Sequence, residues 1–119
     1  MALTIWHNPR CSKSRQTLER IEAAGAEAEV RRYLDDPPTP DELGAALGAL
    51  GIEPWGLARM NEPLAAELGL PALPRDAASR ERWIAILSAN PRLIERPVVL
   101  ADDGLAIVGR PPENVDELL

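Results

Sequence analysis

Near the amino terminus, residues 3–25 read LTIWHNPRCSKSRQTLERIEAAG. The β-favouring run at residues 3–6 leads into Asn8-Pro9, a dipeptide typical of turns, so we predict a strand and then a turn. Beyond the turn, apolar residues recur at helical spacing, at Leu18, Ile21 and Ala24. Gly25 is a helix stop signal. An amphipathic helix of about three turns is therefore expected to begin directly after Cys11.

The other β-favouring runs lie on either side of a long middle segment. Residues 27–34 alternate loosely between apolar and polar types, which predicts a second strand. Its candidate buried positions are Ala28, Val30 and Tyr33. Residues 97–100 and 105–108 are separated by Asp102-Asp103-Gly104, a pattern that predicts a hairpin. A last short helix is expected to begin at Pro111-Pro112.

The middle segment, at about residues 38–90, is helical in pattern. A helix begins at Thr39 with a proline and two acids in its first turn, where free N–H groups and the helix dipole favour them, and it ends at Gly51. Its apolar face consists of Leu43, Ala46, Leu47 and Leu50. Three further helical pieces are predicted, at residues 55–59, 63–68 and 77–89.

The resulting order is β-α-β, then helices, then β-β-α. This order indicates an α/β protein: a thioredoxin-like mixed β-sheet flanked by helices, with a helical insertion between the β-α-β half and the β-β-α half. The two strands of the first half should be parallel and joined by a right-handed crossover. Because 119 residues is the size of one ordinary domain, we expect a single domain over residues 1–119.

Charge and hydropathy exclude several classes of protein. A net charge of −6 and a pI near 4.8 argue against a nucleic-acid partner, since duplex binding is mostly phosphate neutralisation by Lys and Arg. No apolar run approaches the roughly 20 residues that span a bilayer, so no membrane association is expected. The amino terminus also lacks a basic leader and a cleavage site, which predicts a cytoplasmic protein.

Cys11 is the only cysteine in the chain. A single cysteine excludes an internal disulfide and a multi-cysteine zinc site, and one histidine with scattered acids predicts no metal cluster. A dithiol redox motif would need a cysteine where Ser14 stands, and a phosphatase-type cradle would need its arginine further from the cysteine than Arg15. Any redox chemistry at Cys11 therefore needs a thiol from another molecule.

The position of Cys11, between a turn and a helix start, favours a reactive thiol. The free N–H groups and dipole of a helix amino terminus stabilise an anion and lower a thiol pKa from its ordinary value of about 8.5. Three cations, Arg10, Lys13 and Arg15, flank the cysteine. The alternative is a small buried hydrophobe, since lone cysteines are commonly buried.

Four separated motifs give the chain a family resemblance. They are residues 7–15 (HNPRCSKSR), 57–59 (LAR), 90–99 (NPRLIERPVV) and 107–112 (IVGRPP). In this order they resemble the glutaredoxin-coupled arsenate reductase family over nearly the whole chain. The resemblance implies a nucleophilic Cys11 and a cis peptide bond at Pro97. It also implies three oxyanion-binding arginines, Arg59, Arg96 and Arg110, and supporting roles for His7 and Ser14. Arg15, as a flanking cation, is expected to support the thiolate as well.

The activity implied by the resemblance is reduction of arsenate to arsenite, a step in arsenic detoxification. Arsenate or a similar oxyanion would be the substrate, glutathione the co-substrate and glutaredoxin the partner, with no tightly bound cofactor and no metal. The sequence does not indicate an oligomeric state. Two alternatives stay open: a member with a different thiol acceptor, such as a glutathionylated substrate, and a regulator that binds RNA polymerase like the Spx-type proteins. For each arginine, the alternative is an ordinary solvated surface residue.

Overall fold

The computed structural model of the protein describes residues 2–119. These residues form two compact units. The sheet unit consists of the chain up to Asp36 together with Arg96–Leu119, and the helical unit is Pro37–Glu95. In the described residues no helix is both long and apolar enough to cross a membrane.

The sheet unit contains four strands: β1 (Leu3–Trp6), β2 (Ala28–Arg31), β3 (Val98–Ala101) and β4 (Ala106–Val108). Their order in the sheet is β2-β1-β3-β4. β1 and β2 are parallel, whereas β1 pairs with β3, and β3 with β4, in antiparallel fashion. The mixed sheet, the parallel first pair and the hairpin are confirmed.

One face of the sheet is covered by two helices. These are α1 (Ser12–Ala23) and a 3-10 helix, Pro112–Leu118, near the carboxyl end of the chain. The buried core cluster draws on the sheet, on α1 and on the 3-10 helix, and comprises Leu3, Ile5, Ile21, Val99, Val115 and Leu118. Each such apolar side chain contributes roughly 1.5–3 kcal/mol on burial, so both helices are firmly attached to the sheet.

The second strand differs from its prediction. It is shorter than residues 27–34, and Val30, predicted to be buried, is 45% exposed. The reason is that β2 is an edge strand, paired on one side only with β1, so the apolar pattern of a short strand overstates its burial. Ala28 does pack against the core cluster. Tyr33 is buried, but it lies in the turn after the strand.

The helical unit contains α2 (Pro40–Leu50), α3 (Pro54–Leu57), α4 (Pro63–Glu67) and α5 (Arg80–Ala89). Short 3-10 turns occur at Leu70–Ala72, Ala77–Ser79 and Pro91–Leu93. All four predicted helical pieces are present. The last of them, predicted at residues 77–89, starts as a 3-10 turn and becomes α-helical at Arg80.

The ends of α2 follow from its sequence. Thr39 accepts a hydrogen bond from the Glu42 N–H at 3.1 Å, and the Glu42 carboxylate accepts one from the Thr39 N–H at 2.9 Å. This reciprocal capping satisfies two donors that a helix start leaves open. Gly51 ends the helix with a left-handed φ of 69°. On the predicted apolar face, Leu43, Ala46 and Leu47 are buried and Leu50 is partly buried.

Candidate active site

Cys11 occupies the N-cap position of α1, with extended backbone angles of φ −93° and ψ 121°. Its N–H donates to the Asn8 carbonyl at 3.0 Å, and its carbonyl accepts from the Arg15 N–H at 3.0 Å. The residue is 8% exposed and its thiol is reduced. The sulfur therefore lies where the first N–H groups of the helix have no partner within the helix itself.

The Cys11 thiol has a lowered pKa, and opposing causes set it. Burial raises the pKa, but the backbone N–H of Ser14, the charge of Arg96, the backbone N–H of Lys13 and the charge of Arg110 together outweigh burial. Because hydrogen bonds and positive charge favour the thiolate, a larger fraction of the sulfur is ionised at neutral pH than for an ordinary thiol. The lowered pKa supports the predicted reactive thiol, and the hydrogen-bonding and charged groups that lower it all belong to the sheet unit.

The Arg110 guanidinium is in direct contact with the sulfur. Its Nη1 donates to Cys11 Sγ at 3.8 Å, and the same nitrogen lies 3.5 Å from the Arg96 carbonyl. Arg110 is exposed and Arg96 half-buried. Two of the three arginines implied by the resemblance are therefore brought to Cys11, one by contact and one through its charge.

Ser14 and His7 form a buried pair next to the turn that precedes Cys11. His7 Nδ1 lies 2.7 Å from Ser14 Oγ, and Ser14 Oγ accepts from the Asn8 N–H at 3.1 Å. Burial, followed by the charges of Arg32 and Arg15, lowers the pKa of His7, so its ring is neutral at pH 7. His7 and Ser14 thus support the loop: the ring is no cationic partner for the thiolate, and Ser14 faces the sulfur with its backbone N–H rather than its hydroxyl.

Two hydrogen bonds hold the turn before Cys11 in place. Arg15 Nη1 donates to the Pro9 carbonyl at 2.8 Å, and the Arg10 N–H donates to Asn8 Oδ1 at 3.0 Å. Arg15 therefore holds the loop through its side chain. Lys13, the third flanking cation, stabilises the thiolate through its backbone N–H.

Thr17 and Gly109 join α1 to the end of β4. The sequence predicted no role for either residue, although Gly109 lies within the motif at residues 107–112. Thr17 Oγ1 donates to the Lys13 carbonyl at 2.8 Å and lies 3.4 Å from the Gly109 carbonyl. The Gly109 N–H donates to the Pro97 carbonyl at 2.9 Å. The peptide bonds before Pro97, as expected, and before Pro111 are cis. A β-carbon at Gly109 would lie 2.5 Å from Thr17 Oγ1 and 2.8 Å from Pro97 Cγ, so only glycine fits.

The buried face of α1 differs from the predicted apolar face. Its buried residues are Ser14, Thr17 and Ile21, whereas Leu18 is partly buried and Ala24 is exposed. Two of the three buried side chains carry a hydroxyl group, so the periodicity of apolar residues does not reveal them. The available signal was the spacing of Ser14 and Thr17 on the same side as Ile21.

Arg59, the third arginine of the resemblance, belongs to the helical unit. Its N–H donates to the Leu93 carbonyl at 2.7 Å, next to an isolated bridge between Ala58 and Ile94. Its Nη1 donates to the Arg92 carbonyl at 3.2 Å, and its Nη2 is 3.4 Å from Glu62 Oε2. These contacts define its local conformation, and its role as an oxyanion ligand stays a prediction.

Over residues 2–119, no three His, Cys, Asp or Glu side chains are grouped as metal ligands would be. The charged side chains that act on the sulfur, Arg96 and Arg110, are cationic, which suits an anion.

We expect the Cys11 thiol to ionise below the ordinary value of about 8.5. The rate of alkylation by iodoacetamide should rise with pH and reach its plateau at a lower pH than for a free thiol, because only the thiolate reacts. Arg110→Gln and Arg96→Gln should each move the midpoint upward, since each removes a positive charge. Arg75→Gln, at an exposed position of the helical unit, is the control. A wild-type midpoint at or above 8.5 would contradict the proposed ionisation.

Gly109→Ala should lower the free energy of unfolding by about 1–3 kcal/mol, because the added methyl group overpacks the contact with Thr17 and Pro97. The matched control is Gly44→Ala in α2, where a β-carbon meets nothing within 4 Å. Helix propensity there favours alanine by up to about 1 kcal/mol. Urea denaturation measures both variants. If the two variants have the same free energy of unfolding, the packing of Gly109 against Thr17 and Pro97 is not tight.

Comparison with known proteins places the chain in a family. Residues 6–118 match the model of the ArsC family. An arsenate reductase of Neisseria meningitidis serogroup A is 45% identical over 120 residues, covering 98% of this chain and 97% of the relative. That of Escherichia coli K12 is 40% identical over 117 residues, covering 98% of this chain and 80% of the relative.

A solved structure agrees with these alignments. The arsenate reductase from Vibrio cholerae superimposes with a TM-score of 0.91 at 40% identity, covering 100% of this chain and 98% of that one. The thioredoxin-like fold predicted from the order of elements is thereby confirmed, and the relatives support an oxidoreductase. Since the family match extends over almost every residue of both units, the protein belongs to the ArsC family, the arsenate reductase family that its four motifs resemble.

Proposed function

We propose that this protein reduces arsenate to arsenite, with the Cys11 thiolate as nucleophile. The observation that carries the proposal is the contact of Arg110 Nη1 with Cys11 Sγ at 3.8 Å, at the amino terminus of α1. A thiolate beside a guanidinium and free backbone N–H groups is an arrangement suited to attack on a bound oxyanion. The naming of relatives as arsenate reductases supports arsenate as that oxyanion.

Charge compensation is the main task of the arginines in this proposal. A thiolate and an arsenate anion repel each other, and the repulsion grows as they approach. The guanidinium groups of Arg96 and Arg110 offset both charges and offer paired donors to the arsenate oxygens. Arg59 is proposed as a third such ligand, on the strength of the resemblance.

In the first step, the Cys11 sulfur attacks arsenic. A sulfur–arsenic bond forms, one arsenic–oxygen bond breaks, and the departing oxygen takes up protons and leaves as water. Arsenic stays in the +5 state, so nothing has yet been reduced. The lowered pKa of Cys11 assists here because it supplies thiolate at neutral pH.

In the second step, a thiol from outside must supply electrons, since Cys11 is the only cysteine. We propose that the glutathione thiolate attacks the Cys11 sulfur of the adduct. A sulfur–sulfur bond forms, and the electron pair of the sulfur–arsenic bond passes to arsenic, which leaves as arsenite in the +3 state. Glutaredoxin then attacks the glutathione sulfur of the mixed disulfide and releases the Cys11 thiolate. Such a cycle needs a reducing compartment, in keeping with the expected cytoplasmic location.

Cys11→Ser should abolish arsenate reduction measured with glutathione, glutaredoxin and glutathione reductase, as NADPH consumed upon arsenate addition. The serine hydroxyl is not ionised at neutral pH and forms no mixed disulfide. Arg75→Gln should retain full activity. Unchanged turnover in Cys11→Ser would remove Cys11 as nucleophile. Wild-type protein that alkylates rapidly yet reduces only glutathionylated substrates would assign the sulfur to another acceptor, and co-purification with RNA polymerase without turnover would indicate a regulator.

Arg59→Gln should lower kcat/KM for arsenate by about tenfold or more, because a hydrogen bond to a charged group contributes roughly 1.5–3 kcal/mol. Arg59→Lys should fall between wild type and glutamine, since lysine keeps the charge but loses the planar fork. Steady-state kinetics with arsenate as the varied substrate measure both. If Arg59→Gln retains the wild-type kcat/KM, Arg59 is not an oxyanion ligand.

A further inference from the structure

We propose that Asn114 is the positioning residue that holds Arg110 in place beside Cys11. Asn114 Nδ2 donates to two carbonyls of the segment that carries Arg110: that of Val108 at 3.1 Å and that of Arg110 itself at 3.2 Å. The inference rests on the proposed function insofar as Arg110 acts in the reaction. No motif of the sequence pointed to Asn114.

Asn114 is one of several contacts that shape the segment carrying Arg110, and it acts on both sides of Gly109. Gly109 itself is held by its N–H bond to the Pro97 carbonyl at 2.9 Å and by the contact with Thr17. β4 ends at Val108, Arg110 is exposed, and the Arg110 N–H bonds back to the Val108 carbonyl at 2.9 Å. Asn114 spans the two residues that flank Gly109, so a single amide group fixes the carbonyls on both sides of the glycine. A shift of either carbonyl would carry the Arg110 side chain with it.

Asn114 itself lies on a firmly anchored element. The 3-10 helix Pro112–Leu118 buries Val115 and Leu118 in the same core cluster as Ile21 of α1. On the surface, Asp116 forms an ion pair with Arg20 of α1, with Arg20 Nη2 2.5 Å from the carboxylate. The 3-10 helix is therefore fixed to α1, the helix whose amino terminus carries Cys11.

These contacts form a closed circuit. It runs from Cys11 along α1, across the core to the 3-10 helix, through the Asn114 amide to the backbone of Arg110, and back from Arg110 Nη1 to Cys11 Sγ. Thr17 of α1 makes a second polar link, since its Oγ1 lies 3.4 Å from the Gly109 carbonyl, but Asn114 bonds to the carbonyls on either side of that glycine. Because Asn114 hydrogen-bonds to the carbonyl of Arg110 itself, the distance between the guanidinium and the sulfur depends on this amide.

The test measures the pH midpoint of Cys11 alkylation, which needs no arsenate. Asn114→Ala and Asn114→Leu, the second with the same branching at the γ position as asparagine but no hydrogen-bond donor, should move the midpoint toward that of Arg110→Gln. Glu117→Ala, at an exposed position of the same 3-10 helix, should leave the midpoint at the wild-type value. Circular dichroism verifies that each variant is folded. If Asn114→Ala unfolds, the measurement on Asn114→Leu decides the test.

A double-mutant cycle separates positioning from general loosening. In the Arg110→Gln background, Asn114→Leu should produce no further shift, because the group that it positions is gone. A midpoint unmoved by Asn114→Leu, or an equal shift in both backgrounds, would overturn the proposal. Absence of arsenate turnover together with the expected shifts would overturn the proposed function and leave the positioning role standing.

Discussion

The electrostatic balance at a single sulfur governs the organisation of the sheet unit. Burial alone would keep the Cys11 thiol protonated, and the N–H groups of Ser14 and Lys13 together with the charges of Arg96 and Arg110 reverse that preference. Backbone donors at a helix start are rigid and cannot fold away, so part of the stabilisation follows directly from where α1 begins. The remainder depends on side chains from distant parts of the chain.

Those distant side chains explain why the loops around Cys11 are so closely tied together. Gly109 lies against Thr17 and Pro97 with no room for a β-carbon, and Asn114 holds the carbonyls on either side of that glycine. His7 is kept neutral and hydrogen-bonded to Ser14, so the turn before Cys11 gains support without a competing positive charge. The arginines stabilise the thiolate by their charge, and the neutral residues hold the backbone around Cys11 and Arg110 in place.

Much of this organisation could be predicted from the sequence. The strand, turn and helix around Cys11, the capped α2 and the final hairpin each have a local signal, because caps, turns and apolar periodicity act between residues a few positions apart. The prediction that Val30 is buried was wrong. Its burial depends on the place of β2 in the sheet, here an edge, and that place is set by the whole topology. Thr17 and Asn114 were missed because their importance lies in contacts with Gly109, Val108 and Arg110, which no short-range pattern encodes.

The polar stripe on the inner side of α1 has a consequence for how this protein can be altered. Ser14 and Thr17 occupy sites that a stability-minded designer would fill with valine or alanine, and their hydroxyls contribute less to burial than methyl groups would. Each hydroxyl, however, is bonded to the backbone of a neighbouring loop or helix turn. Gains in thermal robustness are better sought on the outward side of that helix, where Gln16, Glu19 and Ala23 are exposed.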